Sequence, residues 1–238
     1  MQPEVLTTQD DLTQTDAFRR WFGASKAVDD DGRPLVVYHG SNRPLEQVMS
    51  GPERLARFDA NTKDLPRSLV EAERRQLEKV AGAVWFTDDE WVAQGYAGQC
   101  EGVETVTAVY VSMQNPLDLL GASVEEVEQV LSAARGCPVS VSTEYGRRKG
   151  IAHAIVHDNG SLIQYAIAQG FDGLIYPDTD VRGRSTHVSY VTFEPGQVKA
   201  VANVGAFDSQ DPRVAFKRAA SAPCNTDDDE EDRCSPKF

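Results

Sequence analysis

Three short patterns in this chain carry side chains able to bind a ligand or do chemistry. In Val37-Tyr38-His39-Gly40-Ser41 an apolar run ends on a histidine. That residue offers two ring nitrogens for hydrogen bonds, and the glycine after it lets a ligand approach the backbone. In Gly82-Ala83-Val84-Trp85-Phe86-Thr87-Asp88, followed by Gly95-Tyr96-Ala97, two aromatic rings fall on a strand and on the helix after it. Such rings are usually core, yet two flat faces converging on a pocket can sandwich a planar heterocycle. The third pattern, Ser189-Tyr190-Val191-Thr192-Phe193-Glu194-Pro195-Gly196-Gln197-Val198-Lys199, is a strand with a polar exit. None is specific alone, since a histidine at a strand end most often serves structure.

Taken in this order, the patterns resemble the ADP-ribosyltransferases of the His-Tyr-Glu branch, that of diphtheria toxin and poly(ADP-ribose) polymerase, and in particular the domains of phage polyvalent proteins. The likeness begins at Phe18-Arg19-Arg20-Trp21-Phe22-Gly23 and continues through Val37-Tyr38-His39-Gly40-Ser41. It returns at Trp85-Phe86-Thr87-Asp88-Asp89, Gln114-Asn115-Pro116-Leu117-Asp118, Phe171-Asp172-Gly173-Leu174-Ile175-Tyr176 and Phe193-Glu194-Pro195-Gly196-Gln197-Val198-Lys199. It ends with Asn203-Val204-Gly205-Ala206-Phe207-Asp208 and Asp211-Pro212, so it spans most of the chain.

The resemblance implies a transferase that takes NAD as substrate, moves ADP-ribose to a protein acceptor and releases nicotinamide. It gives His39 a ribose hydroxyl and gives Gly40 the nicotinamide carboxamide, held through backbone N–H and C=O. Ser41 follows where it can help hold the ribose. Trp85 stands at the first tyrosine of the nicotinamide sandwich and Tyr96 matches the second, a change stacking tolerates because the ring face makes the contact. The bond between nicotinamide and ribose breaks through an oxocarbenium-like transition state, as in glycosidases. A negative group near the ribose stabilises that charge, and deleting one such contact typically costs roughly 100-fold to 1,000-fold.

The branch places a glutamate at the start of its last strand, and the same alignment puts Ser189 there. The implied catalytic set is therefore His39, Tyr96 and Ser189, and the binding set His39, Gly40, Ser41, Trp85 and Tyr96. A serine carries no charge, which leaves a slow enzyme, a carboxylate borrowed from elsewhere, or an inactive domain. Glu194 lies on the opposite strand face by parity and reads as a turn residue beside Pro195. Asp178 and Asp180, in an expected loop before the strand, could swing inward. A degenerate module that binds NAD or ADP-ribose and an NAD glycohydrolase remain as alternatives. A role as a bacterial effector, toxin or phage-derived modifier follows from the resemblance alone.

These residues need elements to position them. Asp16 to Phe22 reads as a short helix capped by Thr15 and closed by Gly23, with Phe18, Trp21 and Phe22 on one face. Strands are expected at 35–40, 83–87, 103–113, 173–176 and 188–193, and a polar helix or ordered loop at 65–80. Asp88 or Asp89 caps a helix through Trp91, Val92 and Tyr96. Ser123 and Glu126 form a capping box for a helix burying Val124, Val127, Val130 and Leu131, and 161–169 reads as a helix closed by Gly170. Residues 136–159 have weak periodicity. Strands scattered among short helices point to an α+β fold. With the resemblance this becomes an ADP-ribosyltransferase-like fold, its mixed and antiparallel sheets forming an NAD cleft with peripheral helices. The expected division is a flexible N-terminus at 1–14, the domain at 15–212 and an acidic disordered tail at 213–238.

Composition narrows the partners. The 238 residues carry 37 acidic against 24 basic side chains, a net charge of -13 that repels phosphate backbones and argues against nucleic acid. Part of that charge lies in Asp227-Asp228-Asp229-Glu230-Glu231-Asp232, the composition of a solvated tail. Cys100, Cys137, Cys224 and Cys234 form no CxxC pair, and His153, His157 and His187 lack partners at metal-ligand spacing. No apolar run reaches the roughly 18 residues of a membrane span, and the start has no Sec-type signal. The expected location is the cytoplasm, or a target cell reached without such a signal. Gln197 and Lys199 read equally as strand-terminus residues, and Arg182 and Arg184 as solvated loop arginines.

Overall fold

A computed structural model describes residues 12–98, 103–144, 150–179, 186–203 and 207–215. Cys100, Cys224, Cys234, Asp180, Arg182, Arg184, the acidic run and most of both expected termini lie outside the described residues.

The first helix, α1 (Asp16–Phe22), forms as its sequence demands. Thr15 accepts the amide of Phe18, and Gly23, at φ 54°, returns its N–H to the Arg19 carbonyl. Its three aromatics are buried and meet Tyr110 and Phe207 edge-on or tilted, with Phe18 5.0 Å from both rings. Trp21 Nε1 donates to the Gly196 carbonyl at 2.8 Å. The helix is thereby fixed to two distant segments.

Seven strands form one sheet in the order β4-β5-β6-β2-β1-β3-β7. They are β1 (Val37–Ser41), β2 (Val84–Thr87), β3 (Thr105–Val111), β4 (Leu117–Asp118), β5 (Gly173–Thr179), β6 (Thr186–Thr192) and β7 (Val198–Ala200). Neighbours are antiparallel except β4 and β5, so the sheet is mixed, as expected for this α+β fold. The remaining helices are α2 (Gly51–Thr62), α3 (Arg67–Val80), α4 (Glu90–Ala97), α5 (Val124–Arg135), α6 (Val141–Glu144), α7 (Gly150–His157) and α8 (Asn159–Ala168).

Strand alternation divides the core. Leu174, Tyr176 and Val191 face the cluster built with Leu131, Ile155 and Leu162, whereas Ile175 and Tyr190 face Val37, Phe86, Val109 and Val198. Val127 and Leu131 are buried in α5 as expected and Val130 packs beside them, but Val124 is exposed at the helix start, where the capping box turns it outward.

Three further features stand apart from the sequence reading. The helix α2 had no forecast. It buries no residue completely, and its start is marked by the Ser50–Glu53 capping box and Pro52. Strand β5 does not stop at Pro177, because β4 pairs only as far as Ile175. Beyond that point β5 is an edge on one side, where a residue without an N–H is tolerated. Asp178 is therefore a strand residue paired with His187. Finally, residues 213–215, counted with the tail by composition, are ordered: Val214 is fully buried, donates to Glu46 O and accepts from the Ala200 amide.

Candidate functional site

The site lies where the sheet opens. Strand β1 pairs with β3 from Val37 to Ser41, and β2 with β6 from Val84 to Thr87, yet β1 and β2 share the single register pair Tyr38 and Thr87. Past Tyr38 a side chain takes over from the ladder, with His39 Nδ1 2.9 Å from the Trp85 carbonyl oxygen. A carbonyl only accepts, so Nδ1 carries the proton and, in the neutral ring, Nε2 is left as acceptor. Burial pushes the His39 pKa below its ordinary value and the Arg54 charge acts the same way, against the Trp85 hydrogen bond. The neutral tautomer therefore prevails at pH near 7. The ring rests 5.6 Å from Phe86, and its half-buried edge lines a cleft of about 500 Å³ with Ser41 and Arg54.

The contact next to it dictates Gly40. A Cβ there would come 1.8 Å from the Ala93 carbonyl oxygen, because α4 lies directly on β1. The same helix is pinned at its start, where Asp89 caps Trp91 and Val92 and Thr87 Oγ1 accepts the Asp89 amide. Tyr96 projects from the last turn of α4, 39 % exposed, and approaches Tyr176. Ser41 takes a local role, donating to the Arg43 carbonyl at 2.6 Å.

From Trp85 a polar chain runs across three strands. Trp85 Nε1 donates to Tyr176 Oη at 3.1 Å. Tyr176 sits opposite Ser189 in the β5–β6 register, their side chains on the same face. Ser189, 4 % exposed, donates to Asp178 Oδ2 at 2.7 Å. Asp178 is buried as well, and His187 Nε2 stands 3.7 Å from the same oxygen. An indole N–H only donates, so Tyr176 Oη is its acceptor, and the single Ser189 proton is spent on the carboxylate. Burial first, then the Asp178 charge, raises the Tyr176 phenol pKa well above its usual range, so the phenol keeps its proton.

The structure thus joins Trp85, Ser189 and Asp178 beside Tyr176, with Tyr96 approaching that tyrosine; it ties His39 to this group only through the Trp85 main-chain carbonyl, the imidazole lying on the Phe86 side, and turns Ser41 aside. Glu194 is exposed and heads the turn Pro195–Gln197, where its amide is accepted by Gln197 Oε1. Gln197 also donates to the carbonyls of Ser112 and Asp172, and Lys199 to those of Asp211 and Arg213, so both are tied into the frame. Tyr176 and His187 were missed as partners. The signal was period-2 parity with Ser189 and Trp85, which needs the strand register first. Among the described residues no group of three or more His, Cys, Asp or Glu is placed to hold a metal ion, and no helix is long and apolar enough to cross a membrane.

The family model described as ADP-ribosyltransferase in polyvalent proteins matches residues 29–207, a span holding every residue of this site. This chain belongs to that ADP-ribosyltransferase family. No curated protein and no solved structure matches it. As an ADP-ribosyltransferase domain it is a transferase enzyme by family.

Proposed function

We propose that this ADP-ribosyltransferase takes NAD as its substrate, transfers ADP-ribose to a protein acceptor and works with a Ser189–Asp178 pair where the His-Tyr-Glu branch has one glutamate. The observation that carries this reading is the 2.7 Å hydrogen bond from Ser189 to the buried Asp178. Its geometry polarises the serine oxygen, which accepts the ribose hydroxyl while the full charge stands one residue behind. The bond from C1′ of the ribose to the nicotinamide nitrogen breaks, and its electron pair leaves with neutral nicotinamide. The acceptor then bonds to C1′ and gives up its proton.

His39 Nε2 accepts from the other end of the ribose, the Gly40 backbone holds the carboxamide, and Trp85 and Tyr96 flank the ring. A carboxylate acting through a serine is farther from the developing charge than one in direct contact, so its field is weaker and turnover is slow. A role as a delivered effector, toxin or phage-derived modifier acting in the cytoplasm is part of the same proposal and rests on family membership.

Labelled NAD incubated with the protein and a cell lysate tests it, beside His39→Ala and Tyr96→Phe. Label on protein that disappears in His39→Ala supports transfer. Free nicotinamide without labelled protein identifies a glycohydrolase, and NAD binding with neither product identifies a binding module.

A further inference from the structure

The cleft beside His39 has a charge opposite to that of the chain. Arg43, Arg54 and Arg57 line it, with Glu46 as its one acidic side chain, in a protein of net charge -13. Several arginines elsewhere have carboxylate partners: Arg33 pairs with Asp29, Arg67 with Glu71, Arg74 with Asp59 and Glu78, and Arg213 with Asp211, while the exposed Arg20 and Arg75 stand in open solvent. Among the described residues Arg43, Arg54 and Arg57 pair with none. Arg54 is half-buried and gives one N–H to the Ala83 carbonyl at 3.0 Å, while Arg57 reaches only the Met49 sulfur. Leaving a half-buried guanidinium without a counter-charge costs desolvation that an anionic ligand would offset.

The cleft is also prepared. Its loop is held from behind, with Val48 N donating to Pro212 O, Val214 N to Glu46 O and Leu45 N to Thr107 Oγ1. A depression of about 570 Å³ between α2 and α3 differs in carrying three carboxylates among its cations, Asp59 and Glu78 pairing with Arg74 and Glu71 with Arg67.

We infer that this arginine cleft binds the diphosphate of a dinucleotide, with Arg54 as its principal cation and Glu46 setting the limit on its affinity. The inference rests on the NAD reading above, because a ligand reaching from His39 into the cleft needs an anionic stretch next to its ribose. It selects for NAD and ADP-ribose over nicotinamide riboside, which lacks phosphate. Two parallel hydrogen bonds from Arg54 to a phosphate make the recognition specific to a guanidinium.

Calorimetric titration with NAD, ADP-ribose, inorganic pyrophosphate and nicotinamide riboside tests it, in low and high salt. Arg54→Gln is expected to weaken ADP-ribose and NAD roughly tenfold or more and to flatten the salt dependence, leaving nicotinamide riboside unchanged. Because Arg54→Gln also removes the bond to Ala83, Glu46→Gln is the second arm. It is expected to tighten ADP-ribose, a gain that no folding defect imitates. ADP-ribose binding that is indifferent to both changes overturns the inference while label transfer from NAD still stands. Pyrophosphate and ADP-ribose binding that follows Arg54, in a protein that never consumes NAD, upholds the cleft and sinks the transferase reading. Failure to bind any phosphate compound overturns both.

Discussion

Ser189 and Asp178 lie on adjacent antiparallel strands with the serine hydroxyl donating to the carboxylate at 2.7 Å, both side chains out of solvent. If that carboxylate supplies the charge for ribose chemistry, Asp178→Asn keeps the shape and loses the function. Nicotinamide release is expected to fall roughly 100-fold with the melting temperature little changed. Ser189→Glu alone is expected to gain little, because a second carboxylate beside Asp178 forces one of them to stay protonated. The double variant Asp178→Asn/Ser189→Glu is then faster than either single one. A Ser189→Glu enzyme that is fast with Asp178 intact removes the aspartate from the mechanism.

How much of this could be read in the sequence follows from the range of each interaction. Helix α1 and strands β1, β2 and β6 were legible because caps, alternation and a glycine act within a few residues. His39 was legible as a strand end, while the Trp85 carbonyl that sets its tautomer was not, since that contact joins residues 46 apart. Pro177 hid Asp178. A proline normally ends a central strand, and only the shortness of β4 makes this stretch an edge. The helix α2 carried a local signal that went unread, the Ser50–Glu53 capping box with Pro52 behind it.

His39 ties stability to pH. Its pKa in the folded protein lies below the ordinary value, mainly through burial, so folding favours the neutral ring. The unfolded chain takes up the proton first as pH falls. This contribution is therefore complete above the unfolded value of about 6.5 and is lost as pH drops through it toward the folded one. Thermal melts from about pH 7.5 down to about pH 5.5 are expected to fall more steeply for the native protein than for His39→Gln. Parallel curves would mean that the ring titrates freely.

Gly40 has no room to vary. In Gly40→Ala the methyl meets the backbone oxygen of Ala93 at 1.8 Å, and neither atom can rotate away. Helix α4 must lift, and Tyr96 moves with it. Overpacking of this kind costs about 1–3 kcal/mol, which chemical denaturation can measure. The KM for NAD should rise in the same variant, and an unchanged KM would show that the position of Tyr96 has no part in binding.

Lys199 acts on the cleft from the far side of the sheet. It is almost wholly buried, and its ammonium donates to the carbonyls of Asp211 and Arg213 at 2.6 and 2.9 Å. Those residues flank Pro212, whose carbonyl accepts the Val48 amide, and lead to Val214, whose amide donates to the Glu46 carbonyl. Burial lowers the lysine pKa, with the Asp211 and Asp208 charges opposing that shift. Lys199→Met fills the space without supplying a donor, and leaves two carbonyls unmatched. A stability loss of about 2–4 kcal/mol is expected, since hydrogen bonds to charged groups contribute about 1.5–3 kcal/mol each and do not add fully. The segment 211–214 then exchanges its amide hydrogens faster, and the loop 45–48 with it. If hydrogen exchange quickens in 211–214 but not in 45–48, the cleft does not depend on this lysine.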